Sequence, residues 1–150
     1  MSGVGKLEAI WIKRFRRGPM DPKVSAALRA GRGIEDNANQ GGKRQVTVIS
    51  KEAFENVSAD LGAAIDPAWR RANFLVSGVD LRESRGRILD VGGVGIRIAG
   101  ETQPCEQMDE AYRGLRAALS PEWRGGVYGE VVDDGEVEVG CDVNLREGIS

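Results

Sequence analysis

The thiol of Cys105 is the side chain in this sequence with the clearest chemical potential. Cys105 lies in the segment GETQPCE (100–106), after a predicted strand and just before a predicted helix. Backbone N–H groups at a helix N-terminus favour a thiolate, which can act as a nucleophile, a persulfide carrier or a soft metal ligand. Two points favour a purely structural role instead. Most free cysteines are small buried hydrophobic residues, and the carboxylate of Glu106 opposes ionisation of the neighbouring thiol.

Polar side chains also precede two of the predicted strands. Arg70, Arg71 and Asn73 lead into NFLVS, and Lys43 and Arg44 lead into QVTVIS. An Arg guanidinium matches phosphate oxygens bidentately, and an Asn amide can recognise the edge of a heterocycle. The alternative is a set of solvated cations with Asn73 as a turn residue.

Two further candidates lie in glycine-containing segments. Asp36, with Asn37 and Asn39, belongs to the long polar loop 31–42 and could position a ligand or a water, although ordinary turn chemistry explains these residue types equally well. Cys141, in VEVGCDV, has no neighbour in the sequence that would activate it, so we expect it to be structural.

The sequence contains no histidine, which excludes several common catalytic sites. A Ser-His-Asp triad, a Cys-His pair and a His-ligated zinc are all impossible. Two cysteines are also too few for a disulfide framework or a structural zinc site. Any proton transfer must therefore use a carboxylate, Lys, Tyr, Cys or water.

Length and composition predict one ordinary globular domain over residues 1–150. The 150 residues are 41% hydrophobic and 29% charged, so we expect a packed core rather than disorder. The N-terminal segment lacks the apolar region of a signal peptide, and the apolar runs are far too short to span a bilayer. These features predict a soluble cytoplasmic protein with reduced thiols.

The net charge of −2 hides an uneven distribution along the chain. Residues 1–50 carry ten Lys and Arg against four Asp and Glu, whereas residues 101–150 carry four Arg against twelve acids. Either these are solvated faces that neutralise one another, or the basic part forms a pocket for an anionic ligand. Duplex nucleic acid is a poor candidate because the pI is low and aromatic residues are few.

The elements that would position these residues are mostly short strands. Alternation over 7–15 predicts a strand with Ile10 and Ile12 on one face and Trp11 on the other. Further strands are expected at 45–50, 73–77 and 91–99, with a hairpin joining 127–132 to 136–139 across the turn 133–135. Helices are predicted at 23–30, at 51–61 between an N-cap at Ser50 and a C-cap at Gly62, and at 106–119. This pattern lacks regular βαβ alternation and predicts a mainly β barrel or rolled sheet with attached helices.

Four segments, taken in order, resemble the MOSC domain, the family related to the C-terminal part of molybdenum-cofactor sulfurases. They are RGPMDPKVSAALRAGRGIEDNANQGG, KRQVTVIS, RRANFLVSGVDL and ETQPCEQMDE. The resemblance implies a closed β-barrel of the MOSC and pyruvate-kinase-barrel type. It implies that Cys105 carries sulfur as a persulfide or ligates molybdenum in a bound molybdopterin. Arg71 and Asn73 would lie at the pterin and phosphate end of the pocket, with Lys43, Arg44 and Asp36 as neighbours.

Two functions follow as expectations. The first is molybdenum-cofactor-associated chemistry at Cys105, either sulfur transfer or reduction of N-oxygenated small molecules at a Cys-ligated molybdenum. The second is a non-catalytic barrel that binds an anionic small molecule or a protein partner. The resemblance implies an anionic cofactor and a sulfur-donor or molybdoenzyme partner, without nucleic acid or membrane. Pyridoxal phosphate is not expected, because the sequence has no aminotransferase-like half to bind it.

Overall fold

The computed structural model describes residues 5–146, which form short strands and three short helices. The strands are β1 (Gly5–Lys13), β2 (Met20–Lys23), β3 (Ser25–Arg29), β4 (Gly33–Ile34), β5 (Val46–Ser50), β6 (Phe74–Ser77), β7 (Ile88–Val91), β8 (Val94–Glu101), β9 (Val127–Val131), β10 (Gly135–Glu138) and β11 (Asp142–Arg146). The helices are α1 (Lys51–Leu61), α2 (Gln107–Ala111) and α3 (Leu115–Leu119), with 3₁₀ turns at Pro67–Arg70 and Pro121–Trp123.

Seven of these strands close into a barrel. Their order around the barrel is β1-β6-β5-β9-β8-β7-β11, and β11 pairs with β1 to complete it. Only the β5–β6 pair is parallel among the pairings of residues 5–146. β2 extends the sheet from β1, and a small second sheet has the order β10-β3-β4. The predicted mainly β fold with a closed barrel is confirmed.

The inside of the barrel is a continuous apolar core. On β1, Leu7, Ile10 and Ile12 are all buried and face this core, as the alternation of Ile10 and Ile12 predicted. Leu7 shares their face because an irregularity between Leu7 and Ala9 shifts the register against β6, which offsets the two-residue period. Trp11 lies on the opposite face and packs against a second cluster outside the barrel.

The helices cover one outer face of the barrel. Phe54 and Val57 of α1 pack with Met108, Leu115 and Leu119 of the two other helices. α1 has the predicted bounds: the Ser50 hydroxyl accepts a hydrogen bond from the Ala53 N–H, and Gly62 ends the helix with φ 65°. This helical layer leaves room for a cavity against the barrel wall.

Two predicted helices were wrong. Residues 23–30 form no helix, because Ala26 and Leu28 alternate into the core and β3 pairs with both β10 and β4. Helix 106–119 is broken, because Tyr112 is extended and Gly114 has φ 92°. The apolar residues of the predicted stripe still reach the second cluster, so the break changes the path of the chain and keeps the buried face.

The predicted hairpin over 127–139 was also wrong, because β9 and β10 belong to different sheets. The carboxylate of Asp133 accepts a hydrogen bond from the Gly95 N–H at 2.9 Å, and that of Asp134 accepts one from the Ala30 N–H at 2.8 Å. The two acids thus bind the backbone of β8 and of the turn after β3 instead of closing a tight turn. Within residues 5–146, no helix has the length and apolar character needed to cross a bilayer.

Candidate functional site

A cavity of about 390 Å³ opens between the barrel wall and the start of the α2 region. The end of β1, the loop before β5 and the turn before β6 form one side, and the segment around Cys105 forms the other. Its lining residues are Lys13, Arg16, Asn37, Ala38, Asn39, Arg44, Thr47, Arg70, Arg71, Ala72, Asn73, Thr102, Cys105, Gln107, Met108 and Gly125.

The charged residues of this lining are all basic. Five cations contribute to it, and none of the described lining residues is Asp or Glu. Like charges brought together without counter-ions repel one another and favour an anionic ligand. The surplus of Lys and Arg in residues 1–50 therefore does contribute a basic pocket, the second of the two interpretations of the charge pattern.

Arg70 is the most buried cation of the cavity, with a relative exposure of 8%. Its Nε donates a hydrogen bond to the Gly125 carbonyl at 3.0 Å, but its buried Nη2 has no hydrogen-bond partner among the described residues. Burial lowers the pKa of Arg70 to about 10; nearby Arg44 adds to this, and the negative charge of Cys105 acts in the opposite direction. Arg70 therefore remains charged at neutral pH with unused donor capacity.

Thr102 provides a second unused polar group. Its side chain is 2% exposed, and its hydroxyl has no partner within the described part of the chain. Buried polar groups in proteins are normally hydrogen-bonded, and an unpaired one costs about 1–3 kcal/mol. Arg70 and Thr102 line the same cavity, so two unpaired polar groups belong to the walls of one cationic site.

Arg71 and Arg44 are two further cations of the lining. Arg71 has the left-handed conformation, φ 61°, and its guanidinium donates a hydrogen bond to the Gly18 carbonyl. The guanidinium of Arg44 lies over the Tyr128 ring, 5.5 Å from its centroid. Both side chains are thus oriented by contacts that leave their charge uncompensated.

Asn73 is neither the exposed turn residue nor the free ligand-binding amide that its residue type suggests. It is buried, its Oδ1 accepts from the Thr47 N–H and hydroxyl, and its Nδ2 donates to the Trp11 carbonyl and to Asn37 Oδ1. Its amide therefore ties β1, β5 and the polar loop together at the back of the cavity. This network fixes the positions of Lys13 and Asn37.

Cys105 is exposed at the cavity, but it is not presented by a helix N-terminus in the expected way. α2 begins two residues later and has five residues, so its dipole is small. The Cys105 carbonyl accepts the Met108 N–H at 3.0 Å. The surrounding arginines, rather than a helix, supply the positive charge beside the thiol.

Cys141 has a contrasting environment. It is half-buried between β10 and β11 and packs against the barrel core. Burial raises the pKa of its thiol, and the charge of Asp142 raises it further. A Cys141 thiolate is therefore disfavoured, as expected for a structural cysteine.

The structure brings together only some of the residues selected from the sequence. Cys105, Arg71, Asn73 and Arg44 all line the cavity, whereas Lys43 and Asp36 are exposed outside its lining. Sequence analysis missed Lys13, Arg16 and Thr102. Lys13 alternates with the buried Ile12 and faces outward from β1, which is the one sequence signal that could have identified it.

Comparison with known proteins identifies the class of this chain. The family model of the MOSC domain matches residues 35–144. The chain therefore belongs to the MOSC domain family, whose members are linked to the molybdenum cofactor. A comparison with curated proteins gives no match.

Solved structures share the fold. The YuaD protein from Bacillus subtilis superposes with a TM-score of 0.80 at 21% identity, covering 98% of each chain. YiiM from Geobacillus stearothermophilus has a TM-score of 0.73 at 18% identity, over 95% of this chain and 75% of its own. YiiM from Escherichia coli gives 0.69 at 14% identity, over 97% and 71%. At these identities the likeness concerns the fold.

Proposed function

We propose that this MOSC domain works in molybdenum-cofactor chemistry, with Cys105 as its reactive group. The observation that carries the proposal is the exposed thiol of Cys105 at the edge of a cavity whose charged lining is entirely basic. A thiolate is a suitable ligand for a soft metal and a suitable carrier of sulfur. A lining of cations suits a phosphate-bearing cofactor.

The residues present fit such a cofactor. The unpartnered Nη2 of Arg70 and hydroxyl of Thr102 provide donors for phosphate oxygens, and Arg71 and Arg44 add charge to the lining. Cys105 is the lining residue able to ligate molybdenum. When bound, the cofactor would supply redox chemistry at the metal. The protein's own contribution would be to neutralise the phosphate charge and to hold the Cys105 thiol within reach of the metal.

In the sulfur-transfer form of this function, the only reacting group that the protein has to supply is Cys105. The Cys105 sulfur attacks the outer sulfur of a donor persulfide, a new S–S bond forms at Cys105, and the donor sulfur leaves as a thiolate. The persulfide can then pass its outer sulfur to an acceptor. The exposure of Cys105 leaves it accessible to a donor protein.

The test compares two cysteine variants by native mass spectrometry with elemental analysis. We expect the protein, after incubation with a persulfide donor or with molybdenum cofactor, to gain one sulfur atom or bound molybdenum. Cys105→Ser should lose this gain entirely, whereas Cys141→Ser should retain it, because Cys141 is half-buried outside the cavity. Equal uptake by the two variants would contradict the assignment of Cys105. Absence of uptake in wild type would favour the binding-module function instead.

A further inference from the structure

Lys13 differs from every other lysine of the chain in its surroundings. The sequence has five lysines, and the other four, Lys6, Lys23, Lys43 and Lys51, are exposed. Lys13 is half-buried at the end of β1 and lines the cavity. Because Ile12 faces the barrel core, Lys13 faces outward into the cationic space.

The backbone of Lys13 is held firmly in place. Its N–H donates to Asn37 Oδ1 at 2.9 Å, and its carbonyl accepts the Ala38 N–H at 2.9 Å. β2 pairs with it at Met20. The backbone at the base of the side chain is therefore fixed where β1 reaches the cavity.

The charges around Lys13 all oppose a second positive charge. Burial lowers its pKa most, and Arg71 and Arg44 lower it further. In residues 5–146 no carboxylate forms an ion pair with it. The titratable or charged groups that line the same cavity are Arg16, Arg44, Arg70, Arg71 and Cys105.

A half-buried lysine beside other cations is a better nucleophile toward carbonyl carbon than an exposed one, because more of its amine is neutral at a given pH. The arginines that disfavour its charge also attract an anionic substituent on the reacting molecule. Both effects therefore favour a carbonyl compound that carries an anionic group. We propose that Lys13 forms a reversible imine with small aldehydes or ketones that carry a phosphate or carboxylate group. This reactivity does not involve the Cys105 thiol, but it uses the same cavity and the same two arginines as the proposed cofactor.

The reaction needs no oxidant or reductant. The neutral Lys13 nitrogen attacks the carbonyl carbon, a C–N bond forms, and the resulting carbinolamine loses its oxygen as water to give the imine. Water attack on the imine carbon reverses the sequence and releases the carbonyl compound. Arg44 and Arg71 hold the anionic substituent while Lys13 reacts.

The probe for this inference is pyridoxal 5′-phosphate, an aldehyde with a phosphate group, used at limiting concentration. Cyanoborohydride reduces any imine to a stable amine, and peptide mass spectrometry then gives the occupancy of each lysine. We expect Lys13 to be modified several-fold more than each of the four exposed lysines. Sulfate should compete at Lys13 and leave the exposed lysines unaffected.

Matched variants test whether the cations of the cavity cause this selectivity. Arg44→Gln should reduce modification of Lys13, because it removes both a cation that disfavours the ammonium and a phosphate contact. Arg85→Gln, at an exposed arginine outside the cavity lining, should not. Pyridoxal without the phosphate should lose the selectivity. Lys13→Arg should remove the adduct while thermal melting verifies that the variant is folded.

Two results would overturn the inference: modification of Lys13 no greater than that of Lys43, or equal selectivity with pyridoxal and its phosphate. Cys105→Ser should label at Lys13 like wild type. Because that variant is the one in which the molybdenum-cofactor function is lost, failure of either proposal can be recognised independently of the other.

Discussion

Arg70 holds a full charge in an almost completely buried position, and part of its hydrogen-bonding capacity is unused. Its Nε is held by the Gly125 carbonyl, whereas its Nη2 has no partner within residues 5–146. A hydrogen bond to a charged group contributes about 1.5–3 kcal/mol. An anion that reached Nη2 would thus gain more binding free energy from Arg70 than from an exposed arginine.

We therefore expect Arg70→Met to weaken sulfate binding about tenfold to a hundredfold. Isothermal titration calorimetry with sulfate measures this directly. Arg85→Met provides the comparison, since Arg85 is exposed and does not line the cavity. An unchanged sulfate affinity in Arg70→Met would place the anion at a different cation.

At the scale of elements, the cavity depends on how closely the segment before β9 approaches the residue that follows β8. The Thr102 N–H donates to the Gly126 carbonyl at 2.8 Å, and a Cβ added at Gly125 would lie 2.6 Å from the Thr102 carbonyl oxygen. Only glycine allows this approach, which also brings the Gly125 carbonyl to Arg70. The close approach of Gly125 to Thr102 therefore positions the guanidinium of Arg70.

Gly125→Ala should lower the free energy of unfolding by about 1–3 kcal/mol, because the backbone must move. It should also weaken sulfate binding, because the carbonyl that holds Arg70 moves with it. Gly62→Ala is a matched control: its Cβ meets open space at φ 65°, so it costs about 1–2 kcal/mol through backbone strain alone. Denaturant unfolding and sulfate titration should show both effects in the first variant and only destabilisation in the second.

At the scale of the whole molecule, a net charge of −2 coexists with a cavity in which all charged lining residues among 5–146 are basic. The twelve acids of residues 101–150 contribute nothing to the described lining. The fold thus separates the charges of the chain instead of pairing them at this site. A ligand that binds the folded state alone stabilises it, by about 2.7 kcal/mol at a hundred times its dissociation constant.

Sulfate should accordingly raise the melting temperature more than chloride does at equal ionic strength. Bound sulfate favours the protonated forms of Lys13 and Arg70, so their pKa values are higher in the complex than in the free protein. The pKa of free Lys13 is lowered from 10.5 and that of Arg70 is about 10. The stabilisation is therefore present below the pKa values of the two groups and is lost as the pH rises through them, which for Arg70 is around 10.

Thermal melts with sulfate from neutral pH to about pH 11 check this dependence. They are best made in a Cys105→Ser background, in which no thiol lines the cavity. Lys13→Met should remove the contribution of Lys13 to this pH dependence and leave the contribution of Arg70. A sulfate effect that stayed constant over this range would show that neither group contributes.

Local signals in the sequence determined those elements whose form depends on neighbouring residues. The β-branched run of β5, the alternation of β1 and the caps Ser50 and Gly62 of α1 were all predicted, because propensity, periodicity and capping act over a few residues. The chemistry available was also determined, since the sequence has no histidine and only two cysteines.

Only the tertiary structure decided where those elements lie and which charges meet. Residues 25–29 are a strand because the distant β10 and the neighbouring β4 pair with them, and β10 leaves β9 because β3 is its partner. Likewise, Lys13, Arg44 and Arg70 come from three separate segments, and their repulsion exists only after the barrel brings them together. Burial, pairing and charge proximity are properties of the folded chain, so local sequence patterns cannot specify them.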